Sequence, residues 1–319
     1  MNKSVYLLVF FCWMVSEAFG QGCSDAGFCT MGAMRPSQVY SKKINFRLRE
    51  LELNYYTGST KLSPRINAAT LDFTFGINDN MAMQVKLPYM WIDGNLGETS
   101  GLGDISWSFT RNVYSTESYH INATLGGKIP TNRSDIKEGS NTEHTTSGEE
   151  AVLPMYYQTS LGSFDIVAGG AFISKKWMFA AGIQVALNEN ENSFSFDDWE
   201  RYPDPNYLNE HHFATDLRRG TDIMIRAERS FHFSKWDIRL GVLPIWRITQ
   251  DEIESTDGER IKEDNTTGLA LSVLGNAAYH FSTRHSIRLL YGYKITDREI
   301  NPDGLTRDDV ISLAYVTRF

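Results

Sequence analysis

Long segments in which every second residue is apolar dominate the sequence. From position 177 to 187 the odd positions carry Trp, Phe, Ala, Ile, Val and Leu, and mostly small or polar residues stand between them. The same alternation recurs at 81–91, 119–129 and 287–293, and no charged side chain interrupts these apolar sets. Because successive side chains of a β-strand point to opposite faces, the pattern predicts strands with one continuous apolar face.

Two architectures accommodate such strands: a secreted β-sandwich, whose apolar face is its core, and a transmembrane barrel, whose apolar face meets lipid. The segments run to about eleven residues, which suits a tilted membrane crossing better than the usual globular strand. Short turns alternate with longer polar loops, as in outer-membrane barrels, so we favour the barrel. The short turns fall at 78–80, 115–118, 174–176, 234–235 and 282–285.

The alternation predicts an all-β fold, a transmembrane antiparallel up-and-down β-barrel of twelve strands with both termini in the periplasm. The first strand is irregular, because its apolar phase shifts between Leu48 and Leu51. Segment 151–162 could form an infolded loop, an extension of the sixth strand, or an extra hairpin that would make fourteen strands. The twelve predicted strands are 44–58, 65–77, 81–92, 103–114, 119–130, 163–173, 176–188, 216–233, 236–250, 266–281, 285–297 and 308–319.

The N-terminal residues predict export. Lys3 precedes an apolar run at 6–15, and the small residues at 18–20 fit a cleavage site before Gln21. The apolar run is too short to span a bilayer as a helix. We therefore divide the chain into a signal peptide at 1–20, an N-terminal periplasmic or luminal segment at 21–43, and an outer-membrane barrel at 44–319.

Cys23 and Cys29 are the only cysteines that remain once Cys12 leaves with the signal peptide. Lipidation of Cys23 is disfavoured, because Gly20 stands where a lipoprotein signal has Leu. Two cysteines without a nearby Cys or His are also too few for a closed zinc site. In the oxidising periplasm we predict a Cys23–Cys29 disulfide that closes a small loop, which mass spectrometry of the mature protein would detect.

The chain ends in ISLAYVTRF, whose apolar face includes Leu313 and Tyr315 and finishes on Phe319. This segment resembles the C-terminal recognition strand of bacterial outer-membrane proteins. The resemblance implies insertion by the barrel assembly machinery, outer-membrane lipid as surroundings, and a location in the bacterial outer membrane.

Charged residues on the phase opposite to the apolar face are the candidates for the barrel lumen. Both signs are present, and such groups commonly pair across a narrow lumen and fill it. We favour this pairing over a charge-selective path, because the inward positions contain no row of arginines that would give the lumen a single sign of charge. The candidates are Asp72, Lys86, His120, Lys128, Asp222, Arg226, Glu228, Asp237, Arg239, Arg247, Arg288 and Lys294.

Four motifs carry a family resemblance: LPY at 87–89, GLGDISWSF at 101–109, KIPT at 128–131 and LGSFDIVAGGAF at 161–172. The segment 81–172 resembles the meta-pathway phenol-degradation outer-membrane family, which is loosely similar to FadL-type transporters of fatty acids and aromatic hydrocarbons. The resemblance implies an outer-membrane barrel that takes up small hydrophobic molecules. Where the family usually has Gly after PT, this chain has Asn132, which implies a different loop geometry there.

These observations favour a passive channel or transporter for small, hydrophobic or aromatic molecules that is not an enzyme and has no cofactor. The net charge of −8 argues against a nucleic-acid partner. The alternative is a surface adhesin or receptor that acts through long external loops. A phospholipase-like enzyme ranks lower: the His-x-Ser triplets at 232–234 and 280–282 lie beside tight turns and lack the sequence surroundings of such enzymes.

One loop contains adjacent histidines, His211 and His212, close to Glu210 and Asp216. Imidazole and carboxylate are suitable metal ligands. Adjacent residues of an extended segment point in opposite directions, however, and the remaining ligands have no motif spacing. We therefore predict solvated loop histidines and no metal site.

Overall fold

The computed structural model describes residues 46–59, 62, 64–211, 215–254, 259–303 and 307–319, so the predicted signal peptide and the Cys23–Cys29 disulfide lie outside the described residues. Strands make up most of this part of the chain. They are β1 Arg47–Ser59, β2 Arg65–Asn78, β3 Met81–Gly94, β4 Gly97–Leu102, β5 Ile105–Ser115, β6 Tyr119–Ile129, β7 Asp165–Ser174, β8 Trp177–Ala186, β9 Asp222–Phe233, β10 Trp236–Arg247, β11 Glu252–Glu254, β12 Arg260–Lys262, β13 Gly268–His280, β14 His285–Thr296 and β15 Asp309–Arg318.

Twelve antiparallel strands close into a barrel, which confirms the predicted fold and strand number. Each barrel strand pairs with the next along the chain, and β1 pairs with β15 to close the sheet. The thirteenth strand of this sheet, β4, forms a hairpin with the far end of β3 and then leads into β5. Strands β11 and β12 form a separate two-stranded hairpin.

The irregular phase of β1 has a local cause. The pairing of β1 with β2 slips between Leu48, opposite Phe75, and Glu50, opposite Thr74, so that Arg49 is an extra residue in the strand. A β-bulge of this kind leaves two residues opposite one. Leu48 and Leu51 can therefore lie on the same face although three positions separate them.

The outward side chains of the barrel are apolar and exposed, whereas the inward side chains are buried. On β8, the side chains of Phe179 and Ile183 are 47% and 39% exposed, whereas those of Ala180 and Gln184 are each 3% exposed. In a β-sandwich the apolar face would be the buried one, so this inversion excludes the sandwich and fits a surface that meets lipid. Among the described residues, no helix has the length and hydropathy that a membrane crossing would require.

The two ends of the barrel differ in their connections. At one end, called the turn end here, strands join through a few residues, as at Ser234, whose positive φ of 51° suits a tight turn. At the other, called the loop end, long segments join β6 to β7, β8 to β9, β10 to β13, and β14 to β15. This asymmetry in connection length is the one predicted.

Segment 151–162 is an infolded loop, which settles the three alternatives that the sequence left open. It contains a 3-10 helix at Met155–Tyr157, and no strand lies between β6 and β7. Its residues are almost all buried. The preceding loop docks on β4, where the backbone NH of Glu98 donates to the carbonyl of Gly139. A Cβ at Gly97 would lie 2.3 Å from that carbonyl oxygen, so the approach requires glycine.

Candidate functional site: the barrel lumen and its loop plug

The inner wall of the barrel is polar, and many of its side chains bond to one another. On neighbouring strands, the hydroxyls of Thr110 and Thr124 lie 2.8 Å apart, and Asn112 donates to Asn122 over 2.9 Å. These side chains alternate with outward apolar residues, so the period of two directly produces a polar lumen. None of the twelve predicted lumen residues is exposed.

Ion pairs occupy the middle of the lumen. Lys86 lies 3.7 Å from Asp72, which also accepts a 2.6 Å hydrogen bond from Gln84. Arg226 and Glu228, two residues apart on β9, form a fully buried pair. Further round the wall, Arg288 pairs with Glu52, and Arg318 lies 3.0 Å from Glu50. These groups therefore pair as expected, but along the wall, between the same or nearby strands.

Histidines at the turn end are held by a shared carboxylate. Asp237 bonds to Nδ1 of His232 over 2.5 Å and to Nε2 of His280 over 2.8 Å. In the His-x-Ser triplet at 280–282, Ser282 accepts hydrogen bonds from backbone NH groups of the adjacent turn, including that of His285. His120, also on the inner phase, bonds to the hydroxyl of Ser115 over 2.5 Å. These contacts engage the histidines and Ser282 with turn and wall groups, as expected for a structural role.

Towards the loop end, three of the four motifs that carry the family resemblance meet in one ion cluster. Lys128, from KIPT, lies 3.0 Å from Asp104 of GLGD and 3.6 Å from Asp165 of LGSFD. Arg219, from the loop before β9, also pairs with Asp165. Asn132 donates to the carbonyl of Leu102 and the hydroxyl of Thr159. Glycine could make neither contact, which is how the loop differs from the family pattern.

A second ion cluster ties two loops to the wall around Arg247 at the end of β10. Its guanidinium contacts Asp222 of β9, over 2.7 and 2.9 Å, and Asp303 of the β14–β15 loop, over 2.8 Å. It also pairs with Asp251, and Arg298 lies 3.7 Å from Asp303. Burial opposes ionisation of Asp303, but Arg247 and Arg298 outweigh it and hold the pKa of Asp303 well below its usual range. Burial raises the pKa of Asp251.

Lys294, the remaining predicted lumen cation, pairs with two carboxylates of the β14–β15 loop. Its ammonium contacts Asp297 and lies 2.7 Å from Asp308. Of the twelve predicted lumen residues, Arg239 alone forms no ion pair or hydrogen bond within the described part of the chain.

Apolar loop residues close the loop end. We call the described residues of these loops, 130–164, 187–211 and 215–221, the loop plug. Trp199 is fully buried, and its indole NH donates to the carbonyl of Val152 over 3.2 Å, which joins the two loops. The cluster packs against inward apolar side chains of β2 and β3, and it is formed by Leu62, Ile66, Ala68, Met90, Ile92, Leu96, Ala151, Leu153, Tyr156, Tyr157, Phe194, Trp199 and Leu208.

Within the plug, four aromatic rings enclose His211. The rings of Tyr156, Tyr157, Phe194 and Tyr207 lie edge-on to the imidazole, with centroids 4.9 to 6.2 Å away. Neither ring nitrogen has a hydrogen-bond partner among the described residues. Burial lowers the pKa of His211 from 6.5 to about 3, so the imidazole is neutral.

The prediction of solvated loop histidines is therefore wrong for His211, which is 1% exposed. Aromatic residues spaced along an irregular loop have no period from which their convergence could be predicted. His212 lies outside the described residues. No cluster of three or more metal-ligand side chains occurs in the part of the chain that the structure describes.

Several interior charges were not predicted from the sequence. Glu50 and Glu52 follow the bulge in β1, where the alternation changes phase. Arg219, Asp251 and Asp303 come from loops, where no alternation exists. For the loop residues, the sequence offered only the fact that they are charged. Solvated loops also contain charged residues, so charge alone does not predict burial.

The fold and this interior define the class: a twelve-stranded transmembrane β-barrel with a charged lumen and an infolded loop plug. No family model and no curated protein matches the sequence. The structure is similar to that of an outer-membrane channel from Pseudomonas putida F1, at 14% identity and a TM-score of 0.59, over 89% of this chain and 99% of that one.

Two weaker similarities are to a porin named NanC and to a monoaromatic hydrocarbon channel named CymD. The porin match has 9% identity and a TM-score of 0.44, over 85% of this chain and 98% of the other. The hydrocarbon-channel match has 10% identity and a TM-score of 0.41, over 94% of each chain. At these identities the similarity with the Pseudomonas channel shows a shared fold, and the two weaker matches add nothing to it.

Proposed function

We propose that this protein is a passive outer-membrane channel for small molecules, in which the loop plug closes the external mouth. The observation that supports it best is the interior itself. A barrel with a structural role alone has no need of a separate plug, whereas a channel needs a part that can move while the wall stays intact. The plug is made of irregular loops, so it can rearrange without breaking strand pairing.

The plug also suggests the class of solute. Its aromatic and aliphatic side chains form a buried apolar cluster at the loop end of the polar lumen. Rearrangement of the plug would expose these side chains to a molecule with an apolar body. The resemblance to the phenol-degradation family leads to the same proposal, small hydrophobic or aromatic molecules. The polar wall below favours solutes that also carry a polar group.

Conductance of the reconstituted protein tests the gate. Tyr157 is fully buried, its hydroxyl lies 2.8 Å from that of Tyr207, and it accepts the backbone NH of Leu96. Tyr157→Ala should loosen the plug and increase both single-channel conductance and the swelling rate of liposomes in small solutes. Tyr89→Ala is the matched control, because Tyr89 is 48% exposed on the outer face and should leave conductance unchanged.

The same preparations separate the alternatives. Release of fatty acid from mixed micelles would support a phospholipase, and an adhesin would neither conduct nor hydrolyse. The proposal is wrong if folded wild-type protein and the Tyr157→Ala variant both fail to conduct and fail to admit small solutes.

A further inference from the structure

Among the predicted lumen cations that the structure describes, Arg239 is the one without an ion pair. Arg239 lies on the inner phase of β10 and is half-buried. In the described residues, no carboxylate comes within ion-pair distance of its guanidinium, whereas the lumen cations around it are matched. Arg226 pairs with Glu228, and Arg288 pairs with Glu52. A buried cation normally has a partner, because removing it from water is costly.

The neighbouring charges do not fill this role. Arg239 interacts electrostatically with Glu228 and Asp237, and with the like charges of Arg288 and Arg226. Glu228 is bonded to Arg226 through Oε1, and its Oε2 has no hydrogen-bond partner among the described residues but lies beyond ion-pair distance of Arg239. Both carboxylate oxygens of Asp237 are bonded to histidines.

A second unsatisfied group stands directly opposite. Asn276 on β13 is the cross-strand partner of Arg239, so both side chains project from the same face of the sheet. Asn276 is 6% exposed, and its Oδ1 has no hydrogen-bond partner among the described residues. Buried amides are normally bonded, so this orphan atom next to the unmatched guanidinium indicates a position for a polar ligand.

The position lies nearer the turn end than the plug. Arg239 follows the tight turn at Ser234–Lys235 by a few residues, and the plug lies at the opposite end of the barrel. Asp237 and His280, which line the same end of the wall, are partly exposed. We therefore expect a small solute to approach the guanidinium from the turn end, without movement of the plug.

We propose that Arg239 and Asn276 form a binding subsite for a small organic monocarboxylate in the lumen. The planar guanidinium fork matches a carboxylate in a bidentate arrangement, and the Asn276 amide supplies a further donor, with its oxygen free for a hydroxyl or a protonated oxygen of the ligand. This subsite deepens the proposed function, on which it rests, by naming the chemical group that a permeating solute would carry.

Binding can be measured separately from conduction. The test uses full-length protein in detergent micelles, with trifluoroacetate as the probe and trifluoroacetamide as its neutral counterpart, followed by fluorine NMR line broadening. Trifluoroacetate should bind, and Arg239→Gln should weaken binding by about tenfold or more, the usual weight of a charge-assisted bidentate contact. Arg239→Lys, which keeps the charge but loses the fork, should bind with intermediate affinity, and Asn276→Ala should weaken binding several-fold.

Arg229→Gln is the matched control. Arg229 is exposed on the outer phase of the adjacent strand, over the ring of Trp177. This variant should bind trifluoroacetate as the wild type does. Heat-modifiable gel migration confirms that every variant is folded.

The outcomes distinguish the subsite from the channel. Carboxylate binding that depends on Arg239 in a protein without conductance would support the subsite and contradict the channel. Conductance without carboxylate binding, equal binding of the neutral amide, or equal loss in Arg229→Gln would overturn the subsite and leave the channel proposal intact.

Discussion

Arg247 offers the sharpest test of how the loops are fastened to the barrel. The perturbation is Arg247→Ala. The wild-type side chain is 2% exposed and contacts three carboxylates, those of Asp222, Asp251 and Asp303. Removing the Arg247 guanidinium leaves the three carboxylates buried, with less positive charge to offset their negative charge. Breaking a buried ion pair in this way costs about 3 to 5 kcal/mol.

The magnitude depends on which neighbours remain. Arg298 lies 3.7 Å from Asp303 and 4.0 Å from Asp251, so it can compensate part of the loss for these two loop residues. Asp222 is bonded to the guanidinium at two oxygens and loses both contacts. We therefore expect a loss of at least about 3 kcal/mol, which corresponds to more than a hundredfold in the unfolding equilibrium.

Arg218→Ala is the control in the same loop region. Arg218 lies 3.8 Å from Glu252, but its side chain is 48% exposed, so the substitution should cost less than about 1 kcal/mol. Unfolding by guanidinium chloride in lipid vesicles, followed by tryptophan fluorescence, measures both variants. A loss below about 1 kcal/mol for Arg247→Ala, or equal losses for both, would refute the argument that buried pairing anchors the loops.

Three further predictions address the membrane face, assembly and pH. Ile183→Arg should destabilise the membrane-inserted barrel by roughly 2 to 4 kcal/mol and Gln184→Arg by less, because only the first puts a charge into lipid, so equal damage in vesicle unfolding would contradict the assigned faces. Deleting Phe319 should sharply reduce outer-membrane yield on immunoblots of fractionated cells, since the terminal aromatic belongs to the recognition strand, and normal yield would show that the assembly signal lies elsewhere. Burial lowers the pKa of His211 to about 3 in the packed plug. On acidification, His211 is therefore protonated at a higher pH when the plug is released than when it is packed. The plug is then fully stable above about pH 6.5 and loses about 2 kcal/mol by pH 5, which should raise conductance in the wild type but not in His211→Phe.

The barrel itself follows from the sequence. In lipid every backbone group must be paired within the protein, so a secreted chain of long alternating strands has few folds available besides a closed barrel. The period of two also predicted which side chains of β8 meet lipid and which face inward. In β1 the rule failed locally, since a bulge at Arg49 changes the phase, and for that reason the inward-facing Glu50 and Glu52 were missed.

The interior of the loop end was decided only by tertiary structure. Alternation predicted that Arg247 faces the lumen, but its partners Asp251 and Asp303 lie in loops, which have no period. His211 shows the same limit, because its burial depends on aromatic rings from two separate loops. The sequence alone determined the wall, since strand geometry acts between near neighbours, and the fold determined the plug, since long-range packing brings distant loops together.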